Sequence, residues 1–125
     1  SADRIEKFVE NGGNLLVFGA AIDNADAYNW LPFPVTYHHD VFPRKVTCGS
    51  SAWGTALVED YDPDCIECDG IFPVHEGSVA GAADGSTVII EKAIGKGTVV
   101  VTSVHEYPSR AFLKKFCTSG TQTLF

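Results

Sequence analysis

The residues best suited to catalysis stand in the segment GKGTVVVTSVHEYPS, residues 95–109. A mostly apolar, β-branched run from Thr98 to Val104 ends there in His105 and Glu106. An imidazole titrates near neutrality and can act as a general base, and a carboxylate can hold its ring in orientation. His105 and Glu106 are therefore the candidate catalytic residues. Because adjacent side chains on a strand point to opposite faces, Glu106 can orient His105 only where the chain turns sharply.

A second group has the chemistry of metal ligands. Cys65 and Cys68 form a C-x2-C pair and His75 follows them, so these three residues are candidate zinc ligands. A closed tetrahedral site needs a fourth ligand, for which the candidates are Cys48, His38 and His39. A redox function is the least favoured, because a redox pair ordinarily opens a helix after a strand and this pair stands in a turn-rich acidic segment.

Structural disulfides are favoured over zinc for the cysteines. The four candidates are Cys48, Cys65, Cys68 and Cys117, which allow three pairings. Two disulfides would stabilise a small domain by restricting its unfolded chain, by about 2–4 kcal/mol each. Since disulfides persist in oxidising compartments, the cysteine count favours a secreted or extracytoplasmic location. No cofactor is predicted.

Three further groups are more typical of ordinary structure than of a ligand site. The sequence His38-His39-Asp40 is typical of a solvated turn, with a metal site as the alternative. The central acidic run does not follow the spacing of an EF-hand loop, so a solvated loop is favoured over a calcium site. Its members are Glu59, Asp60, Asp62, Asp64, Glu67 and Asp69. The aromatic set is typical of packing anchors, with a sugar-stacking platform as the alternative. That set is Trp30, Phe33, Tyr37 and Trp53.

The composition predicts one globular domain over residues 1–125 and disfavours two kinds of partner. Hydrophobic residues make up 45% of the chain and charged residues 20%, as in an ordinary folded domain. Sixteen acidic residues against nine basic ones give a net charge of −7, so nucleic acid is a poor partner. No apolar run approaches the roughly 20 residues that span a bilayer, so membrane insertion is not predicted.

The elements that must position these residues are clearest at the two ends of the chain. The pattern predicts a helix over 2–10 that Ser1 caps and Gly12-Gly13 ends. The fully apolar stretch 15–18 then predicts a strand covered on both faces, as in a parallel sheet. Residues 19–36 are predicted as a loop because Pro32 and Pro34 interrupt them.

The C-terminal end predicts a hairpin and a last helix. The runs 86–93 and 98–104 flank a Gly-Lys-Gly turn at 95–97. Pro108 then fits the first turn of a final helix. Between the two ends, residues 35–80 contain short β-like pieces at 35–37, 45–47 and 56–59, whose order the pattern does not give.

Two of these segments together resemble a known family. Residues 8–21, FVENGGNLLVFGAA, and residues 95–106, GKGTVVVTSVHE, are similar to the class I glutamine amidotransferase-like superfamily. Within it the pattern is closest to the amidotransferase-like N-terminal domain of biotin–protein ligases. There a helix ends in Gly-Gly, a buried strand leads to a nucleophilic cysteine, and a hairpin carries the catalytic histidine with a glutamate two residues beyond. The resemblance implies an α/β, flavodoxin-like sheet flanked by helices, with a C-terminal hairpin and a final helix.

The same resemblance implies that catalysis is lost. The nucleophile position falls at Gly19, the histidine position is His105, and the acid position holds Tyr107. A base without a thiol cannot carry out the chemistry of a cysteine hydrolase. We therefore predict a catalytically degenerate, non-catalytic structural or assembly domain. The alternatives are a hydrolase that uses His105 and Glu106, with or without a metal, and a carbohydrate-binding accessory module.

The resemblance also implies a missing strand. Members of the superfamily begin with a strand that would precede the first helix of this chain. A sheet without it would expose unpaired backbone groups. We therefore expect a protein partner, or another segment of the same protein, to complete the sheet as part of a larger protein or assembly.

Overall fold

The computed structural model describes residues 2–19, 23–119 and 123–124. The described helices are α1 (Ala2–Glu10), α2 (Ala52–Val58) and α3 (Arg110–Ser119). The described strands are β1 (Asn14–Phe18), β2 (His38–Arg44), β3 (Ile66–Ile71), β4 (Ser78–Ala83), β5 (Ser86–Ile94), β6 (Gly97–Thr102) and β7 (Thr123–Leu124). The chain is therefore mixed α/β, as predicted. No described helix combines the length and the apolar character that a membrane span requires.

The main sheet places the two ends of the chain side by side. Its strand order is β4-β5-β6-β1-β7, and β2 pairs with β3 in a separate antiparallel ribbon. β1 is parallel to β6, with Leu15 opposite Val99 and Phe18 opposite Thr102. β5 is antiparallel to both of its neighbours. The strands predicted at 15–18 and 98–104 are thus neighbours in one sheet.

The central strands are apolar because both faces of the sheet are covered. On one face, Leu15 packs with Val9 of α1 and with aromatic residues of the segment 28–37. On the other face, Leu16 packs with side chains of α2 and α3, among them Phe116. Burying such an aliphatic side chain contributes about 1.5–3 kcal/mol. The predicted burial of this strand on both faces is confirmed.

The predicted elements at the chain ends are confirmed with small shifts. Gly12 ends α1 with a φ of 109°, a conformation that glycine adopts without steric cost. Ser1, the predicted N-cap, lies outside the described residues. The hairpin forms as β5 and β6. The last helix begins at Arg110, because the Ser109 hydroxyl accepts a hydrogen bond from the Phe112 amide at 3.0 Å, so Pro108 precedes the first turn.

The middle of the chain differs from the prediction. Residues 56–58 belong to the helix α2 rather than to a strand, because Ser51 caps that helix by accepting a hydrogen bond from the Gly54 amide at 3.0 Å. The pieces at 35–37 and 45–47 contribute one isolated bridge each, from Val35 and Thr47. The ordered strands in this region are instead β2, β3 and β4.

The expectation of an exposed edge beside β1 is wrong for residues 14–17, which are at most 6% exposed. β7 pairs in parallel with Asn14 and Leu15. The Asn14 side-chain amide donates to the Phe116 carbonyl at 2.9 Å, and the Tyr28 hydroxyl donates to the Phe18 carbonyl at 2.7 Å. A protein partner remains a prediction, but an exposed edge of β1 is not a reason to expect one.

Substitution of Gly97 tests how tightly the hairpin of β5 and β6 packs on α1. A Cβ atom at this position would overlap the carbonyl oxygens of Gly13 and Val9. We expect Gly97→Ala to lower the free energy of unfolding by about 3 kcal/mol, because main-chain atoms must move to admit the methyl group. Urea denaturation measures this. The control Lys96→Ala, at an exposed residue of the same turn, should change stability by less than about 0.5 kcal/mol. Equal effects of the two variants would contradict the packing described here.

Candidate functional site

A cavity of about 320 Å³ lies where the carboxyl ends of β1 and β6 meet. In α/β sheets this edge is where ligands commonly bind. Its lining residues are Phe18, Gly19, Asp69, Val104, His105 and Tyr107. A Cβ atom on Gly19 would lie 3.2 Å from the Ser103 Cα and 3.6 Å from the Asp69 Cβ. The glycine at the implied nucleophile position and the implied catalytic histidine therefore share one cavity.

The central polar contact of the cavity joins His105 to Asp69. The His105 Nδ1 lies 2.8 Å from an Asp69 carboxylate oxygen. The histidine side chain is 53% exposed, whereas that of Asp69 is 18% exposed. Within the described residues, the Nε2 atom of His105 has no hydrogen-bond partner. The ring is thus held at one nitrogen and open to a ligand at the other, which is the arrangement of an oriented general base.

Acidic neighbours govern the titration of His105. The hydrogen bond and the charge of Asp69 raise the pKa of the imidazole above its ordinary value, and the charges of Glu67 and Glu106 act in the same direction. Desolvation opposes them and lowers the pKa only in part. A larger share of His105 is consequently protonated at neutral pH than in an isolated histidine.

β3 delivers Asp69 to this position. Cys68 forms a β-bridge with Val104, which lies just beyond the end of β6. The Asp69 amide donates to the Ser103 carbonyl at 2.6 Å, and the His105 amide donates to the Glu67 carbonyl at 2.9 Å. These main-chain bonds align β3 with residues 103–105 and fix both members of the pair.

The structure gives the orienting role to Asp69 and not to the candidate Glu106. Glu106 is exposed, and within the described residues it forms no hydrogen bond to the His105 ring. A signal for Asp69 was present in the sequence: Ile66 and Cys68 alternate with Glu67 and Asp69, as in a strand with one buried face. The acidic composition and the cysteine spacing directed the prediction to a loop instead.

The candidate metal ligands are not assembled into a site. Cys65 is exposed and Cys68 is buried. Both ring nitrogens of His75 contact other groups, the Glu76 carbonyl at 3.0 Å and the Thr87 hydroxyl at 2.9 Å. Across the ranges that the structure describes, no group of three or more His, Cys, Asp or Glu side chains is placed to hold a metal ion.

The predicted disulfides are likewise not formed among the described cysteines. Cys48, Cys65 and Cys68 are free thiols, and the side chain of Cys117 lies outside the description. The reason is their placement: Cys68 faces the core from β3, whereas Cys65 stands in solvent before that strand. The secreted or extracytoplasmic location stays a prediction.

The other candidate ligand groups serve local structure. His38 lies 3.4 Å from the Asp23 carboxylate, whereas the Nδ1 of His39 lies 3.1 Å from the Tyr37 hydroxyl, so the two rings have different partners. In the acidic run, an Asp62 carboxylate oxygen accepts a hydrogen bond from the Asp64 amide within a turn. The aromatic set does not form the sugar-stacking platform that was the alternative to packing anchors, because its members separate. Phe33 and Tyr37 are buried on one face of the sheet, Trp53 packs against Phe116 on the other, and Trp30 is 42% exposed.

A second cavity adjoins the first. It has a volume of about 410 Å³ and is lined by Phe18, Tyr107, Pro108 and Leu113. Phe18 and Tyr107 line both cavities, and their rings meet edge to face with centroids 5.5 Å apart. The Tyr61 hydroxyl donates to the Tyr107 carbonyl at 2.6 Å and so anchors the loop between the two cavities.

The pairing of His105 with Asp69 predicts the effect of Asp69→Asn. Removing the carboxylate should lower the pKa of His105, since the hydrogen bond and charge of Asp69 are the largest causes of its elevation. NMR titration of the imidazole measures the change, and Glu106→Gln should lower the pKa by a smaller amount. Because the folded-state pKa is raised, the contribution of His105 to stability is present below pH about 6.5 and is lost as the pH rises through the raised value. A larger shift in Glu106→Gln would contradict the assignment.

The thiol environments predict an order of reactivity. Burial raises the pKa of the Cys68 thiol to about 11 and also raises that of Cys48, whereas Cys65 is exposed. In native protein we expect iodoacetamide to modify Cys65 first, Cys48 more slowly, and Cys68 at least about a hundredfold more slowly, because the thiolate is the nucleophile. Peptide mass mapping follows the modification. A non-reduced Cys48–Cys65 or Cys48–Cys68 peptide would overturn the assignment of free thiols.

Comparison with known proteins leaves this site to be interpreted from its own geometry. No family model matches the chain, and no curated protein matches it. What the cavity can do is therefore inferred from its distances, its charges and the burial of its side chains.

Proposed function

We propose that this chain is a non-catalytic, amidotransferase-like domain of flavodoxin-like fold, in which the edge that carries catalysis in the superfamily serves binding or assembly. The observation that carries the proposal is the position of Gly19 beside the hydrogen-bonded pair Asp69–His105. The cavity keeps an oriented base, and the residue that should offer it a thiol has no side chain.

The topology supports the fold in this proposal. α1 ends at Gly12-Gly13 and leads directly into β1, and the hairpin strand β6 lies parallel to β1 with His105 just beyond its end. Helices cover both faces of the sheet. This is the arrangement that the resemblance implies for the helix, the buried strand and the histidine-bearing hairpin.

The nearby nucleophilic groups support the absence of catalysis. The Ser103 hydroxyl is fully buried and donates to the Val88 carbonyl at 3.1 Å. The Cys68 thiol is also fully buried, and burial keeps its pKa far above neutrality. Ala20 and Ala21, which follow Gly19, carry neither a hydroxyl nor a thiol. A nucleophile for acyl transfer needs to be exposed to substrate and close to a base.

A second candidate function follows from the same pair. With Nδ1 held by Asp69 at 2.8 Å and Nε2 open, His105 has the geometry to activate a water molecule for ester hydrolysis. This hydrolase differs from the one predicted from sequence in its acid, which is Asp69 rather than Glu106.

Turnover measurements separate the two candidates. We expect the purified chain not to hydrolyse glutamine. It should hydrolyse p-nitrophenyl acetate no faster than free imidazole does at the same concentration. The non-catalytic proposal would be overturned by ester or glutamine turnover that His105→Ala and Asp69→Asn abolish and Glu106→Gln preserves. That last pattern would establish the hydrolase.

Restoring a thiol tests the nucleophile position. We expect the thiol of Gly19→Cys to react with iodoacetamide at pH 7 about tenfold faster than the exposed Cys65, because a base beside a thiol depresses its pKa. Adding His105→Ala should remove that advantage and leave Cys65 unchanged. The substitution is sterically tight, since the new Cβ would lie 3.2 Å from the Ser103 Cα, so circular dichroism checks the fold first. A folded variant whose new thiol is no faster than Cys65 would show that residue 19 is not the nucleophile position.

A further inference from the structure

We propose that the two adjoining cavities form one binding site for a small organic amine, with the ammonium group at Asp69 and His105 and an apolar body beside Phe18 and Tyr107. The inference rests on the proposed function, because it assumes that the site holds a ligand without cleaving it. The two cavities share Phe18 and Tyr107, so a molecule beside these two rings lies next to both cavities. Their volumes, about 410 and 320 Å³, fall in the range of small-molecule sites.

The polar end selects a positive charge. The charged groups that act on His105 are all acidic: Asp69 and Glu67 from β3, and Glu106 from its own loop. Asp69 lines the cavity, and the charges of Glu67 and Glu106 also act on the His105 ring, so when His105 is neutral an anionic ligand is repelled and an ammonium group attracted. The open Nε2 of neutral His105 accepts a hydrogen bond from a donor, and an ammonium group supplies up to three donors.

The apolar end selects the body of the ligand. Phe18, Tyr107, Pro108 and Leu113 line that cavity with aromatic and aliphatic surface. Tyr107 is 81% exposed, so its ring is accessible to a ligand. Its π-face can also attract a nearby cation.

The site is held in place before a ligand arrives. The Tyr107 carbonyl accepts a hydrogen bond from the Tyr61 hydroxyl, and Ser109 caps α3 immediately after the loop. On the other side, the main-chain bonds of Glu67 and Asp69 to residues 103–105 fix the carboxylate end. A preformed site loses less conformational entropy on binding than one that has to be ordered.

Three probes of matched structure test the proposal by NMR titration of the intact chain. We expect 2-phenylethylamine to give saturable shifts at His105, Tyr107 and Leu113. 3-Phenylpropanoate, with a similar body and the opposite charge, should bind at least tenfold more weakly, and so should ethylamine, which lacks the body. Amine binding should strengthen as the pH rises through the pKa of His105, because deprotonation removes a positive charge and frees an acceptor.

Variants assign the contacts. We expect Asp69→Asn to weaken 2-phenylethylamine binding about tenfold, as expected for the loss of a charge-assisted hydrogen bond, and Tyr107→Ala to weaken it about fivefold. The control is Glu10→Gln, an exposed acid beside the β5–β6 turn at the end of β6 opposite to His105, which should leave the affinity unchanged.

Two results would overturn the proposal: no saturable shift at the three reporter residues, or binding of 3-phenylpropanoate as tight as that of the amine. Tyr107 is on the surface, so its variant remains informative if Asp69→Asn does not fold. The probe has no scissile bond, so its failure to bind is distinguishable from a failure of the non-catalytic proposal, which shows as ester or glutamine turnover.

Discussion

The parallel pairing of β1 with β6 is the constraint on which the rest of the structure depends. Parallel neighbours require a long crossover connection, and here the chain between Phe18 and Gly97 supplies it. That pairing brings the carboxyl ends of the two strands to one edge, which places Gly19 beside the segment that carries His105. Its stability comes from burial on both faces, since Leu15 and Leu16 pack into opposite cores.

β3 contributes the carboxylate of Asp69, which the paired strands β1 and β6 lack. It continues the hydrogen bonding beyond β6, where Asp69 and Glu67 bond to the main chain of residues 103–105. The resulting pair Asp69–His105 is half open to solvent on the histidine side, and such exposed pairs add little to stability. Its geometry is therefore better explained by the positioning of an imidazole than by the stabilisation of the fold.

The sequence was informative where one local rule dominated. The apolar stretch 15–18 and the β-branched runs around residues 95–97 predicted their strands because burial on both faces leaves a continuous apolar signal. The structure of the middle of the chain was harder to predict. Residues 56–58 looked like strand because of their composition, but the Ser51 cap made them helical. Asp69 was missed because its role depends on a contact between residues 36 positions apart, which no local pattern encodes.

Gly19 links the two proposals in physical terms. Glycine offers no nucleophilic side chain, and the same absence lets the backbone pass close to the Ser103 Cα. A side chain there would begin with a Cβ atom 3.2 Å from the Ser103 Cα, on the lining of the cavity that holds His105. Under both proposals, the pair of Asp69 and His105, next to an apolar wall, holds a charged head group that it does not attack. Under the same proposals, the absence of a side chain at residue 19 accounts for the lack of a nucleophile and leaves space for a ligand in the cavity.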